Sequence, residues 1–192
     1  MLLGEISRIK TGLVLTRKKA EIDYEIKARY PLITLKNIQA DGTFTEDAFE
    51  YFDSKDELGG EHFTQEGDIL IRLSHPNTAI YVDKDQEGLL IPSYFANIRV
   101  NHDGFVAGYV AWYLNSEQVK NELLKFQVGT NIPSTNKGIL EQIDIPEADR
   151  EKQQIITHVQ QLYRKEKALY QKLIHEKEKL YKAVTYSIVG VK

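Results

Sequence analysis

The chain has 192 residues, of which 42% are hydrophobic, and its formal net charge is −3. This length supports one hydrophobic core plus an appendage, because single domains usually have roughly 100 to 150 residues. The sequence contains no cysteine, which excludes disulfides and thiolate metal sites and is typical of a reducing compartment. With no apolar run of about 18 residues and no secretory signal, we expect a soluble, cytoplasmic protein.

The charge is distributed unevenly along the chain. Residues 1–150 hold 16 Lys and Arg against 24 Asp and Glu, a balance of −8, whereas residues 151–192 hold 9 against 4, a balance of +5. Affinity for nucleic acid depends largely on neutralising phosphates, so the acidic first part argues against general polyanion binding. Any DNA binding by this part requires a local basic surface.

Short apolar runs from Leu2 to about Val100 are typical of β-strands. Gly, Asn, Asp and Pro separate these runs, as expected of turns. The predicted strands are 30–38, 48–52, 67–73, 78–82, 88–92 and 95–100.

Two short helices are predicted over residues 103–126, where apolar residues recur at helical spacing. The helices join near Asn115 and Ser116, with Asn115 as the cap of the second helix and Gln118 at its third position. A polar loop follows from Gly129 to Ile139, and "LEQIDIP" predicts one more strand, which Pro146 ends.

From about Ala148 to Tyr186 the chain has no Pro or Gly and predicts one long helix. About 38 residues at about 1.5 Å each span on the order of 57 Å, more than one small domain covers. Alternating spacings of four and three predict a coiled-coil seam with a second chain. The alternative is a core helix folded back on its own domain. The seam residues are Ile155, Val159, Leu162, Leu169, Leu173 and Leu180.

The sequence gives little support for catalysis or for a metal or cofactor. The five histidines have no metal-binding spacing, and no glycine-rich nucleotide-binding motif is present. We therefore predict no cofactor, no metal and no catalytic residue. Glu25 and Lys27 form the Glu-x-Lys half of a metal-dependent nuclease site if the segment is extended; the alternative is a solvated strand edge.

Uncharged hydrogen-bonding side chains are concentrated in the predicted polar loop. Such groups donate to phosphate oxygens or read base edges, asparagine can pair bidentately with adenine, and a lysine suits phosphate contact. The alternative is an ordinary turn rich in these residue types. The same two interpretations apply to "RLSHPNT" (72–78) and to the basic "LTRKKA" (15–20). The candidates of the polar loop are Thr130, Asn131, Ser134, Thr135, Asn136 and Lys137.

The ordered motifs of the chain resemble those of the specificity subunits of type I restriction-modification systems. The resemblance rests on "LGEISRIKTG", "YPLITLKNIQADG", "EGDILIRL", "YLNSEQVKNEL" and "GILEQIDIPEADREKQQII", and it covers essentially the whole chain.

This resemblance implies a target recognition domain of mixed α/β fold over residues 1–147, followed by a spacer helix over residues 148–192. Polar loops would hold double-stranded DNA, and partner methyltransferase and restriction or translocase subunits would do the chemistry. Under this interpretation Ser74, His75 and Asn77 are further candidates for base contact, and Arg17, Lys18, Lys19 and Arg72 for backbone contact.

Family members usually carry two such units in tandem, whereas this chain has one. We therefore expect a homodimer with antiparallel helices that reads an interrupted palindrome, because the symmetry of a dimer is mirrored in its site. Two other functions stay open. One is a coiled-coil adaptor that binds other proteins, which the acidic balance favours, and the other is the nuclease.

Overall fold

The computed structural model describes residues 1–45, 47–126 and 134–190. Contacts within the chain divide it into two units, Met1–Gln154 and Ile155–Lys192. The first unit combines two antiparallel sheets with short helices, and a long helix follows. The predicted mixed α/β class with a long C-terminal helix is confirmed.

The described part of the first unit contains six strands. They are β1 (Ser7–Thr11), β2 (Ala28–Leu32), β3 (Glu50–Ser54), β4 (Ile69–Arg72), β5 (Ala79–Tyr81) and β6 (Phe95–Val100). The helices of the chain are α1 (Leu3–Ile6), α2 (Ala107–Leu114), α3 (Glu117–Lys125), α4 (Lys137–Glu141) and α5 (Arg150–Ile188).

A four-stranded sheet in the order β1-β6-β4-β5 forms the centre of the first unit. All its neighbouring strands are antiparallel, with Ile9 opposite Ile98 and Ile98 opposite Ile69. Since β1 and β4 both pair with β6, they run in the same direction. The continuous apolar sequence of β4 follows from burial on both of its faces, where Ile69, Leu70 and Ile71 are fully buried.

A two-stranded hairpin, β2-β3, lies beside this sheet. Leu32 of β2 and Phe52 of β3 pack with Leu90 in a small core of their own. Leu90 belongs to the apolar run 88–92, for which the sequence predicts a strand. In the structure this run forms isolated bridges, from Leu90 to Leu32 and to Phe63 and from Pro92 to Leu13. It therefore pairs with β2 at one residue without being a strand of either sheet.

The predicted cap of the second short helix is wrong by one residue. Ser116 is the N-cap of α3, because its Oγ accepts a hydrogen bond from the backbone N of Val119. Asn115 instead pairs with the edge strand β5: its Nδ2 donates to the Ala79 carbonyl at 2.7 Å, and its Oδ1 accepts from the Ala79 N at 3.0 Å. Asn115 has the sequence position expected of a helix cap, but its side chain makes a tertiary contact instead.

The first two residues of the strand predicted over "LEQIDIP", Leu140 and Glu141, are the end of α4 instead. Asn136 begins this helix, since its Oδ1 accepts from the backbone N of Ile139. Only the next residues are extended, and they pair with the N-terminus: the Ile145 N donates to the Met1 carbonyl, and the Leu3 N donates to the Ile143 carbonyl.

The long helix α5 has 39 residues, which correspond to about 58 Å at about 1.5 Å per residue. Its six predicted seam residues are half exposed or more, from 50% for Leu173 to 68% for Leu169. No helix among the described residues is both long enough and apolar enough to cross a membrane.

Candidate nucleic-acid interface

Two of the three segments singled out in the sequence meet in the structure. Ser74 and Ser134 form an antiparallel bridge, and the backbone N of Thr135 donates to the Leu73 carbonyl at 2.7 Å. Residues about 60 positions apart in the sequence are therefore held side by side. The turn after β4 and the segment that precedes α4 form one polar surface, which we call the paired-loop surface (residues 72–78 and 134–137).

Asn77 sets the shape of the turn after β4. Its φ is 52°, in the left-handed region, which asparagine tolerates better than most residues. It is only 2% exposed, and its Nδ2 donates to the carbonyls of Arg72 and Leu73 at 3.1 and 3.0 Å. This predicted base-contact residue uses its amide group inside the protein.

The other side chains of this turn are more accessible. His75 is exposed and precedes the cis-proline Pro76. The Nε of Arg72 donates to the Ser74 Oγ at 2.8 Å, which fixes both half-exposed side chains relative to each other. His75 is thus the member of this turn that is best placed to contact a ligand.

The second half of the surface also divides into support and contact residues. Thr135 is 5% exposed, and Asn136 is occupied as the cap of α4. Lys137 is 53% exposed and lies 3.5 Å from Glu141, one turn further along α4. An exposed pair of this kind contributes little to stability, so Lys137 can exchange Glu141 for phosphate. Thr130 and Asn131 lie outside the described residues.

The basic cluster Arg17, Lys18 and Lys19 packs along the β2-β3 hairpin. Lys18 Nζ donates to Asp56 Oδ2 at 2.9 Å, and this hydrogen bond lowers the pKa of the Asp56 carboxyl. The backbone of Lys19 forms an isolated β-bridge with Ser54. The side chains of Arg17 and Lys19 are exposed. Two of the three cations therefore remain available.

The topology places the segment that follows β1 and leads to this basic cluster near the paired-loop surface. Because β1 and β4 run in the same direction, the segment after β1 and the turn after β4 leave from the same end of the sheet. Two consecutive residues, Ser93 and Tyr94, hydrogen-bond to both segments. The Ser93 N donates to the Leu13 carbonyl, and the Leu73 N donates to the Tyr94 carbonyl. The segment after β1 and the turn after β4 thus leave from one end of the sheet, and residues 134–135 are paired with that turn.

The half-site of a nuclease is not supported by the structure. Glu25 lies in a 3₁₀ turn, Asp23–Glu25, where its Oε2 accepts from the backbone N of Glu21, so the segment is not extended as that hypothesis requires. Among residues 1–45, 47–126 and 134–190, no group of three His, Cys, Asp or Glu could hold a metal ion.

The fold is similar to solved structures of type I restriction-modification proteins. A chain from such a system, solved to explain its complex assembly and conformational transition, matches 98% of this chain with a TM-score of 0.68 and 16% identity. The HsdS subunit from Thermoanaerobacter tengcongensis matches 97% with a TM-score of 0.67 and 16% identity. The S subunit of the type I system from M. genitalium matches 92% with a TM-score of 0.55 and 14% identity.

At these identities the similarity establishes the fold, and the resemblance in fold that the sequence motifs imply is confirmed. This chain spans less than half of each of those structures, 47%, 47% and 41% of their lengths. No protein-family model and no curated protein matches the chain.

Proposed function

We propose that this protein is a non-catalytic DNA-specificity module of a type I restriction-modification system or a related system. The paired-loop surface carries this proposal. It brings polar segments from distant parts of the sequence together at one end of a sheet, on a fold shared with specificity subunits. Residues 1–147 are the target recognition domain and residues 148–192 the spacer and dimerisation helix.

The roles of the candidate residues follow from their exposure. His75, Ser74 and Ser134 contact base edges directly or through water, and Arg17, Lys19 and Lys137 contact backbone phosphates. Asn77, Thr135 and Asn136 hold the loops in shape, and Lys18 and Arg72 keep neighbouring side chains in place. Thr130 and Asn131 complete the base-reading set on the basis of residue type.

The helix α5 supplies the second half of the proposed assembly. Its apolar seam pairs with the same helix of a second copy in an antiparallel coiled coil. The exposure of all six seam residues supports this pairing. Two identical recognition domains related by a two-fold axis then read an interrupted palindrome.

A methyltransferase subunit is the proposed main partner, with a restriction or translocase subunit as a further one. The balance of −8 over residues 1–150 leads us to expect weak, strongly salt-dependent DNA binding by the isolated chain. A methyltransferase that clamps the duplex would share the phosphate contacts.

The experiment that tests the function is selection of bound sequences by the full chain co-purified with a type I methyltransferase subunit. Enrichment of an interrupted palindrome supports the proposal. A flat sequence profile contradicts it and favours the adaptor alternative, which the acidic charge of the first unit supports.

A further inference from the structure

A second polar cluster lies on the four-stranded sheet, away from the paired-loop surface. Arg8 of β1 is opposite Arg99 of β6, and Lys10 is opposite Asn97. Residues directly opposite each other, and residues two apart on one strand, share a face of the sheet. Three cations and one amide therefore stand together on this face. Since like charges directly opposite each other destabilise a sheet, an anion bound between them would be stabilising.

A buried carboxylate orders one side of this cluster. Asp68 is 1% exposed and accepts from Arg99 through two hydrogen bonds, Nε to Oδ1 at 2.7 Å and Nη2 to Oδ2 at 2.8 Å. These bonds raise the pKa of Arg99 and neutralise its charge locally. A backbone hydrogen bond and the nearby Lys10 help to lower the pKa of the Glu61 carboxyl, so Glu61 offsets part of the positive charge. Arg8 and Lys10 together still exceed Glu61 by one positive charge, and this excess is what a ligand would neutralise.

Asn97 adds an acceptor that nothing in the described chain uses. It is only 9% exposed, and its Nδ2 donates to Asp68 Oδ2 at 2.9 Å. Reversing the amide would point its oxygen at the carboxylate, so Asp68 fixes the orientation. The Oδ1 accepts no hydrogen bond from any described residue. Leaving a buried carbonyl unpaired is unfavourable, and a ligand that donates a hydrogen bond to it would remove that cost.

A small cavity of about 50 Å³ is lined by this cluster and by Glu61. Because the cavity is small, it accommodates one functional group of a ligand. The group has to accept hydrogen bonds from Arg8 and Lys10 and place a donor at Asn97. A phosphodiester offers acceptors only. An acidic residue within a peptide offers its carboxylate and a neighbouring backbone N–H.

The position of the cavity also distinguishes a protein ligand from DNA. Arg8 lies near the beginning of β1, Asp68 directly precedes β4 and Arg99 lies near the end of β6, whereas the paired-loop surface starts at the other end of β4. Lys10 and Asn97 lie nearer the middle of the sheet, opposite Leu70. Leu73 is five positions beyond Asp68, or roughly 16 Å at about 3.3 Å per residue. A duplex held at the paired-loop surface contacts the opposite end of the sheet.

We propose that the cavity lined by Arg8, Lys10, Asn97 and Arg99 is a docking site for an acidic segment of a partner protein. The carboxylate of an Asp or Glu binds Arg8 and Lys10, and a backbone N–H of the same segment donates to Asn97 Oδ1. This site is independent of the proposed DNA recognition, because none of its residues belongs to the paired-loop surface or to the basic cluster.

The test is an NMR titration of the full chain that follows the side-chain amide of Asn97 and the Nε–H groups of Arg8 and Arg99. The probes are the capped peptide acetyl-Gly-Asp-Gly-amide, the same peptide methylated at the aspartate nitrogen, inorganic phosphate and a DNA duplex. We expect saturable shifts with the unmethylated peptide. Methylation should weaken its binding by about tenfold, because a hydrogen bond to a buried acceptor is lost.

Protein variants provide the second comparison. The double variant Arg8→Gln/Lys10→Gln should bind the peptide about tenfold more weakly or worse, because the charge-assisted hydrogen bonds are lost. Arg29→Gln, a change of an exposed arginine on the separate hairpin, should leave binding unchanged. The proposal is overturned by an absence of saturable shifts, by equal binding of the methylated peptide or of phosphate, or by the same shifts with the duplex.

Discussion

Gln153, in the first turn of α5, accepts a hydrogen bond of 2.8 Å through its Oε1 from the backbone N of Val106, the residue that caps α2. Its Nε2 donates to the carbonyls of Gly104 and Ala148, both at 2.7 Å. The side chain is fully buried and makes hydrogen bonds to three backbone groups from two separate parts of the chain.

Gln153→Leu should destabilise the protein by about 2 to 4 kcal/mol, because three hydrogen bonds worth about 0.5 to 1.5 kcal/mol each are lost. The free energy of unfolding from urea titration measures the effect. Gln154→Leu is the matched control, since Gln154 is exposed, and we expect it to change stability by less than about 0.5 kcal/mol. Equal losses in the two variants would contradict the structural role of Gln153.

Asn77→Ala should cost more stability than Asn77→Gly. Both variants lose the hydrogen bonds to Arg72 and Leu73, but only alanine carries the penalty of a left-handed φ, about 1 kcal/mol. Urea denaturation of the two variants measures this difference. A glycine variant less stable than the alanine variant would show that the turn does not depend on the conformation of Asn77.

Lys137→Gln and His75→Ala should affect DNA binding in different ways. Losing a phosphate contact weakens all sequences alike and reduces the slope of log affinity against log salt by about 1. Losing a base contact costs about 1 to 3 kcal/mol and relaxes preference at one position. Fluorescence anisotropy over a salt series, with the methyltransferase subunit present, measures both effects, and each variant serves as the control for the other.

Lys84→Gln controls for the general effect of removing a charge. Lys84 is exposed and follows β5, at the end of the sheet opposite the paired-loop surface. A salt slope that falls as much in Lys84→Gln as in Lys137→Gln would remove Lys137 from the interface.

Leu169→Glu and Leu173→Glu should each convert the proposed dimer into monomers, because a carboxylate within the apolar seam is desolvated without a partner. Sedimentation equilibrium at micromolar concentration measures the change. Gln171→Glu adds the same charge near the opposite side of α5 and should leave the dimer intact. A wild-type chain that sediments as a monomer would contradict the proposed pairing.

Arg29→Gln should raise the pKa of Asp53. Arg29 Nε donates to Asp53 Oδ1 at 2.6 Å and Nη2 to Oδ2 at 2.9 Å, and this hydrogen bonding lowers the pKa of Asp53 below its ordinary value. A carboxyl with a lowered folded-state pKa stabilises the fold above its unfolded pKa of about 3.9 and loses that contribution as pH falls through the folded pKa.

Carboxyl-detected NMR titration below pH 5 measures this shift. The variant should lose stability less steeply on acidification than the wild type over that range. Asp56 is the internal control, because its lowered pKa depends on Lys18 and should not move. A pKa of Asp53 that stays low in Arg29→Gln would contradict the assignment.

Local patterns predicted much of the secondary structure. The strand predicted over 95–100 has the bounds of β6, and the long helix begins and ends two residues from its predicted limits. In both elements the spacing of the apolar residues agrees with the secondary structure that the tertiary fold requires. The cap at Asn115 failed because a distant partner, Ala79, takes the Asn115 amide. The strand over "LEQIDIP" failed at its start, because Asn136 caps α4 and this helix extends to Glu141.

Local sequence patterns could not predict that the segments of the candidate site lie together, because this also depends on distant contacts. Nothing near Ser74 in the sequence indicates Ser134, since their bridge depends on how the chain returns to the sheet. The polar residues of both segments looked alike in the sequence, yet burial separates Asn77 and Thr135 from His75 and Lys137. The cluster around Asn97 was missed because Arg8 and Arg99 are each an ordinary charged strand residue until the register places them together.

The contact between Asn115 and Ala79 has a consequence for self-association. β5 is an outer strand of only three residues, and Asn115 occupies both backbone groups of its first residue. Edge strands with unpaired backbone amides and carbonyls can pair with the edge strand of another molecule, which leads to edge-to-edge aggregation and amyloid. Because these groups are already occupied, a second copy of the protein cannot pair one of its strands with Ala79, which disfavours edge-to-edge association at this position.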